Sequence, residues 1–305
     1  MKEETKKICL LEGGDSFERE ISLRSAEICG DVLRKLGYEV CEFDFTGDVL
    51  TLISYLKKVR PDGVFNALHG GSGENGNVQS LLNFLKIPYT HSGVLASSLA
   101  MNKYVSCNLF EHGGIAVIKY TLERWQHLLE NRMDFAYPFV VKPVDSGSSD
   151  GVYVIHSPAD LSAIEWTNGE QVLVSAYVPG LELTVGVLDS AALEVTNIIT
   201  SSGFFDYDNK YSKGKTFHEI PAKIPDSIRK MALDYALRAH NLLGCRGISR
   251  TDFRYNDVTN ELFVMELNTQ PGMTALSLLP EQADFVGISL DQLLQRMLEL
   301  ACYDE

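Results

Sequence analysis

Residues 249–268 read SRTDFRYNDVTNELFVMELN. Two strand-like runs, Ser249–Tyr255 and Leu262–Leu267, flank a polar turn, and the pattern predicts a two-stranded pair. Side chains two apart on a strand share a face, so Arg250 goes with Asp252, and Glu266 with Asn268. A turn centred near Thr259 sets Asp252 opposite Glu266 and Arg250 opposite Asn268. Carboxylates opposed across a ladder repel each other. Two carboxylates and an amide oxygen are also the hard donors that Mg²⁺ takes beside substrate phosphates. Asp252, Glu266 and Asn268 therefore form a candidate metal site. The plain alternative is a wet hairpin with solvated carboxylates.

Towards the amino terminus, strand and helix signals alternate through Lys7–Leu11, 17–36, Tyr38–Phe45, Leu50–Lys58, Gly63–Leu68 and Val78–Leu85. This alternation predicts βαβ units and a parallel sheet. In the first helix Ile21, Ile28, Val32 and Leu36 lie on one face, and Gly37 supplies the stop. One helix over Val94–His112 closes this part. From about Ile115 the texture changes to short β runs at Phe139–Lys142, Val152–Ile155, Val172–Val178, Leu183–Leu188 and Leu193–Thr200, with later helices at 226–243 and 290–301. Ser201–Pro221 is long, polar and aromatic, and a loop of such length in a compact protein is commonly a lid or a disordered piece.

Three glycine-rich loops follow strand-like runs. Val140-Val141-Lys142 leads into a Gly/Ser loop ending at Gly151; its backbone N–H groups can cradle phosphate and Lys142 adds charge. A plain turn has the same composition, and GxxxxGK[ST] occurs nowhere. Gly147–Gly151 also matches G-x-S-x-G, and His69-Gly70-Gly71 is similar to an esterase oxyanion loop, which raises a serine hydrolase with Ser148 as nucleophile. That chemistry needs a helix after the serine, whereas Val152–Ile155 predicts a strand. The loop His69–Gly76 stands at the carboxyl end of a buried strand, where open α/β sheets bind ligands. Gly13–Glu18 joins the first strand to the first helix, with Ser16 as its capping candidate and Glu18 at the same edge.

The bulk numbers exclude several classes. With 27 basic against 41 acidic residues, a net charge of −14, the chain lacks the field that a nucleic-acid backbone requires. Apolar residues at 45% and charged residues at 22% describe a folded globular protein. Cys9, Cys29, Cys41, Cys107, Cys245 and Cys302 are scattered without metal spacing and read as thiols in a reducing compartment. No run approaches the roughly 20 apolar residues of a membrane span, and Ile8–Leu11 is too short for a signal peptide. The expectation is a cytoplasmic enzyme with no membrane or nucleic-acid partner.

Taken in order, GGDSFEREIS at 13–22, HGGSGENGNVQ at 69–79, MNK at 101–103, VKPVDSGSSDG at 141–151, FDYDNKY at 205–211, SRTDF at 249–253 and MELNTQPGM at 265–273 resemble the D-alanine–D-alanine ligases over about residues 7–300. The resemblance implies an α/β ATP-grasp fold with an N-terminal Rossmann-like parallel-sheet domain at 1–95, a central subdomain at 96–185 and a C-terminal subdomain at 186–305 carrying a lid at 201–221. It implies ATP and D-alanine as substrates, an acyl-phosphate route to D-alanyl-D-alanine for peptidoglycan, two Mg²⁺ ions with Mn²⁺ as a substitute, and a homodimer.

By position, the resemblance gives Lys103 and Lys142 to the phosphates, Lys210 to the terminal phosphate, Glu182 to the ribose, the backbone at Val178 to adenine, Ser148 to the ATP-binding set, and Asp252, Glu266 and Asn268 to the metals. Glu18 would hold the first ammonium, with His69 and Arg250 near its carboxylate. Ser148 and Tyr211 would join Glu18 in a hydrogen-bonded triad, and Arg250 with the Gly272 N–H would stabilise the oxyanion. Ser277 and Leu278 would meet the second carboxylate. Such ligases commonly carry Glu-Lys at the adenine hinge where this chain reads Ser175-Ala176, so a carboxylate partner for adenine is missing; Thr251 is a milder departure. Retention of Lys210-Tyr211 implies an amine as the second substrate. A related ligase using other amino acids shares every one of these parts.

Overall fold

The computed structural model describes residues 5–130, 135–200 and 216–304. The chain opens with β1 (Lys7–Gly13), α1 (Arg19–Lys35), β2 (Glu39–Phe45), α2 (Val49–Val59), β3 (Gly63–Asn66), the short α3 (Gly71–Glu74) and α4 (Asn77–Leu85). These strands pair in parallel in the order β2-β1-β3, as the alternation predicts. β1 is buried on both faces: Ile8 and Leu10 pack with α1, Cys9 and Leu11 with α2 and α4. Helices on both sides of a parallel sheet require that pattern.

The buried stripe of α1 differs from the expected one. Ser22, Ser25, Ala26, Cys29 and Leu33 are buried with Ile21, while Ile28, Val32 and Leu36 stand at the rim. Small side chains win here because the helix touches the sheet backbone directly. Ser22 Oγ donates to the Ala67 carbonyl at 2.7 Å and accepts the Gly13 N–H at 2.9 Å.

The single helix expected over 94–112 is two, α5 (Val94–Met101) and α6 (Lys103–His112). They break at Asn102, whose backbone is extended and whose side chain accepts from the Val105 N–H at 3.0 Å, the signature of an N-cap. Lys103 thereby becomes the first residue of α6.

The second sheet, β4-β7-β5-β6, is antiparallel and consists of β4 (Tyr120–Arg124), β5 (Phe139–Lys142), β6 (Tyr153–Ile155) and β7 (Gln171–Ala176), with α7 (Trp125–Leu129) and α8 (Pro158–Ala163) packed on it. The third sheet, β10-β9-β8-β11-β12, consists of β8 (Leu181–Leu188), β9 (Ala191–Thr200), β10 (Thr216–Glu219), β11 (Ile248–Asn256) and β12 (Glu261–Asn268). It is backed by α9 (Asp226–Leu242), and α10 (Leu278–Phe285) and α11 (Leu290–Glu299) follow it.

All of β8 pairs with β9 and β11, so the passage between the second and third sheets falls at 177–180 and not at the expected 185/186. Gly180, at φ +112°, makes the crossing so close to β11 that a Cβ there would lie 2.1 Å from the Tyr255 carbonyl oxygen. Of the expected lid, 216–219 form β10. Residues 201–215, with Lys210 and Tyr211, lie outside the described residues.

Met273, Leu279, Leu293, Leu294 and Met297 join Ile8, Leu10, Ala26 and Leu33 in one buried cluster, so the first and third sheets share a core. The second sheet keeps its own, centred on Phe139, Val141, Ile155, Val172 and Val174.

Candidate active site

β11 and β12 pair in the expected register, Arg250 opposite Asn268 and Asp252 opposite Glu266. The next pair is Phe253 with Val264, which makes Met265 an extra residue. This bulge turns Met265 as well as Glu266 towards the cleft.

Cations relieve the opposed carboxylates. Arg250 Nε and Nη2 donate to the two Asp252 oxygens at 2.9 and 2.7 Å, and Thr184 Oγ1 donates to Oδ1 at 2.6 Å. Lys103 Nζ lies 3.4 Å from Glu266 Oε2. Asn268 Oδ1 accepts the Gln270 N–H at 2.7 Å. An N–H meets only the oxygen end of an amide, so that bond orients Asn268.

Two cavities meet along this hairpin. The first, of about 90 Å³, is lined by Glu18, His69, Glu74, Ser148, Arg250, Asn268, Gly272, Ser277 and Leu278 among others. The second, of about 310 Å³, lies between the second and third sheets, with Ile118, Val140, Val154, Ala176 and Met265 as apolar walls and Lys142, Val178, Glu182 and Asp252 at its edges. Lys103, Ser146, Gly147 and Glu266 line both. Lys103 Nζ also donates to the Ser146 carbonyl, which ties this dividing wall together.

In the first cavity Ser148 Oγ donates to the Glu18 carboxylate. Gly70, at φ +61°, lets the His69 loop close on that carboxylate, since a Cβ there would lie 2.4 Å from Glu18 Oε2. His69 is buried and its Nε2 lies 3.2 Å from Ser25 Oγ. Burial lowers its pKa to about 4, which keeps the ring neutral near pH 7. Ser16 does not cap α1: its hydroxyl accepts the Glu18 N–H at 3.2 Å and donates to the His69 carbonyl at 2.7 Å. Glu74, absent from the sequence-derived set, accepts the Gly70 N–H at 2.9 Å. Burial and then nearby Glu18 push its pKa up to about 8. Gly272 and Ser277 come from the loop between β12 and α10, and Leu278 opens α10.

In the second cavity Lys142 ends β5. Burial lowers its pKa, with Glu266 pulling the other way. Arg254, also missed by sequence analysis, holds two expected nucleotide residues at once: Nη1 lies 3.3 Å from Glu182 Oε2 and Nε donates to the Val178 carbonyl at 3.2 Å. It stands opposite Glu182 across β8 and β11, a non-local pairing that no local pattern reveals.

The hydrolase alternative fails on geometry, because 147–151 runs into β6 and not a helix, and Ser148 Oγ is committed to Glu18. Among the described residues no three or more His, Cys, Asp or Glu side chains gather as a metal cluster; the candidate set has two carboxylates and an amide. No helix among the described residues is long and apolar enough to cross a membrane.

Residues 109–299 match the family model described as D-ala D-ala ligase C-terminus. A D-alanine--D-alanine ligase of Ruegeria sp. (strain TM1040) is 47% identical over 299 residues, covering 96% of this chain and 95% of the relative. Among solved structures, the D-alanine--D-alanine ligase from Bacillus anthracis complexed with ATP is similar with a TM-score of 0.80 at 29% identity, over 97% of both chains. The VanG D-Ala:D-Ser ligase from Enterococcus faecalis is similar with a TM-score of 0.82 at 27% identity, over 97% of this chain and 99% of that one. On a family model spanning more than half of its residues and a near-full-length relative at this identity, the chain belongs to the D-alanine–D-alanine ligase family and has its ATP-grasp fold.

Proposed function

We propose that the protein joins two D-alanines into D-alanyl-D-alanine, a peptidoglycan precursor, by activating the first as an acyl phosphate with ATP. The observation that carries this reading is the wall of Lys103, Ser146, Gly147 and Glu266 between a small polar cavity and a larger apolar cleft. One suits an amino acid and the other a nucleotide. The carboxylate pair stands where the two meet.

A carboxylate is a poor acceptor for an amine, so phosphoryl transfer comes first. In our reading adenine lies against the apolar walls near the Val178 backbone, Glu182 takes the ribose, and Lys103 and Lys142 take phosphates, with Lys210 at the terminal one. The residues fit Mg²⁺: two carboxylates already need cationic neighbours, and the Asn268 oxygen is oriented by Gln270. Held by Asp252, Glu266 and Asn268, two such ions would neutralise the phosphate oxygens during transfer.

Glu18 holds the first ammonium while neutral His69 and Arg250 face its carboxylate. The second amine, held through Ser277 and Leu278, attacks the acyl phosphate. Arg250 and the Gly272 N–H take up the charge on the tetrahedral oxygen, a contribution commonly among the largest in acyl transfer. In this reading Tyr211, the expected third member of the Glu18–Ser148 triad, helps to keep water from the acyl phosphate. A cytoplasmic homodimer accompanies this reading.

The test is ADP release with a panel of D- and L-amino acids, followed by mass measurement of the product. D-alanine should yield the dipeptide with one ADP and one phosphate each. Absence of any dipeptide from D-amino acids would overturn the proposal. A second reading, with a different second amino acid, is supported by the similarity to the D-Ala:D-Ser ligase. Product ratios with D-alanine and D-serine in competition decide between them.

A further inference from the structure

One residue touches both halves of the small cavity without projecting into the chemistry. Gln270 is 1% exposed and lies on the loop between β12 and α10, next to Pro271. Its side chain grips the end of β3. Oε1 accepts from Asn66 Nδ2 at 3.1 Å, while Nε2 donates to the Asn66 carbonyl at 3.3 Å and to the Leu68 carbonyl. Asn66 is itself fully buried, and its amide also donates to the Gly73 carbonyl at 3.1 Å. Three side-chain bonds thus join segments 202 to 204 residues apart in sequence.

The main chain of Gln270 faces the site. Its N–H orients Asn268 Oδ1 at 2.7 Å, and its carbonyl stands on the His69 ring, where it opposes the effect of burial on that ring's pKa. The following proline biases Gln270 to extended backbone, so these two groups are already presented in fixed directions. The side chain therefore decides where they stand relative to the His69 loop.

We propose that Gln270 is a positioning residue for ligation: its side-chain clamp on the end of β3 holds the His69 ring and the Asn268 amide in one frame, so that the first amino acid and the phosphoryl group meet at a fixed separation. The proposal rests on the ligase reading above. A buried amide pair with every partner satisfied specifies a single arrangement, and outer partners of this kind commonly carry a tenfold to hundredfold effect when lost.

The wild-type protein is first assayed for dipeptide from D-alanine and ATP, which tests the ligase reading alone; the Gln270 variants are then compared with wild type on whichever amino acid it uses. Gln270→Met keeps the volume and removes the amide. Its kcat/KM for the amino acid should fall by about tenfold to a hundredfold, while affinity for a non-hydrolysable ATP analogue stays within about twofold of wild type. In the ligand-free protein, the His69 ring N–H resonance should move and broaden. Gln270→Asn, one methylene short, should show the same defect, and adding Asn66→Gln should restore at least part of it. This rescue keeps the idea testable if the Met variant does not fold. Unchanged ligation kinetics would overturn the proposal. So would a loss matched by equal losses of nucleotide affinity and melting temperature, or an Asn66→Gln/Gln270→Asn pair no better than Gln270→Asn.

Discussion

Glu266 is the side chain on which both cavities depend, and a neutral amide of equal size isolates its charge. In Glu266→Gln, turnover should fall by about a hundredfold or more, the scale of removing one well-placed group that stabilises developing charge. Repulsion with Asp252 disappears together with the attraction to Lys103, so the melting temperature should barely change. ADP release and a thermal melt measure the two quantities. The pH dependence of stability involves two other residues with opposite signs. Glu74 has a folded pKa of about 8 against an ordinary 4.5, so its contribution is complete below about pH 4.5 and is lost as pH rises to about 8. His69 has a folded pKa of about 4 against an ordinary 6.5, so its contribution is present above about pH 6.5 and is lost as pH falls to about 4. Glu74→Gln should therefore flatten the decline between about pH 5 and pH 8 in urea unfolding; a slope parallel to wild type would contradict the burial argument. The register that sets Arg250 opposite Asn268 and Asp252 opposite Glu266 was legible in the sequence because a period of two fixes such faces locally. Glu74 and Arg254 were not, because the burial of Glu74 beside Glu18 and the pairing of Arg254 with Glu182 depend on distant segments.

At the scale of elements, the order of strands and helices in the first ninety residues could be read directly, since apolar runs of strand and helix period are local properties. α1 shows where that reading slips. Its face towards the sheet carries Ser22 and Ser25, which bond to backbone and to His69, and a hydrophobic period passes over them. β4 was missed altogether, since its residues are only partly buried and show no clean alternation. The division of α5 from α6 rests on one capping side chain. Asn102→Ala should cost about 1 kcal/mol of stability, lower the melting temperature by a few degrees, and weaken nucleotide binding as the first turn carrying Lys103 frays. Calorimetry and titration with an ATP analogue check both outcomes, and a melting change without a binding change would detach Lys103 from the cap.

Across the whole molecule, one core stitches the first sheet to the third, and the second sheet stands on a separate core. Separate cores open separately. Amides of β4, β5 and β7 should exchange with solvent through a lower-energy opening than those of β1, β8 and β11, and mass-resolved hydrogen exchange in mild urea should distinguish the two sets. A single common opening would mean that the cores are coupled. This arrangement was only partly legible, because the alternation names the first sheet but no local pattern says that α11 returns to α1. The dividing wall has a consequence for thermodynamics as well. Lys103 and Glu266 line both cavities and cannot answer to one occupant without altering what they offer the other, so on the proposed function the nucleotide and the amino acid form a linked pair of ligands. By the closure of a binding square, the factor by which nucleotide tightens amino acid must equal the factor by which amino acid tightens nucleotide. Calorimetric titrations in the two orders, with a non-hydrolysable nucleotide, should return one and the same factor, greater than unity.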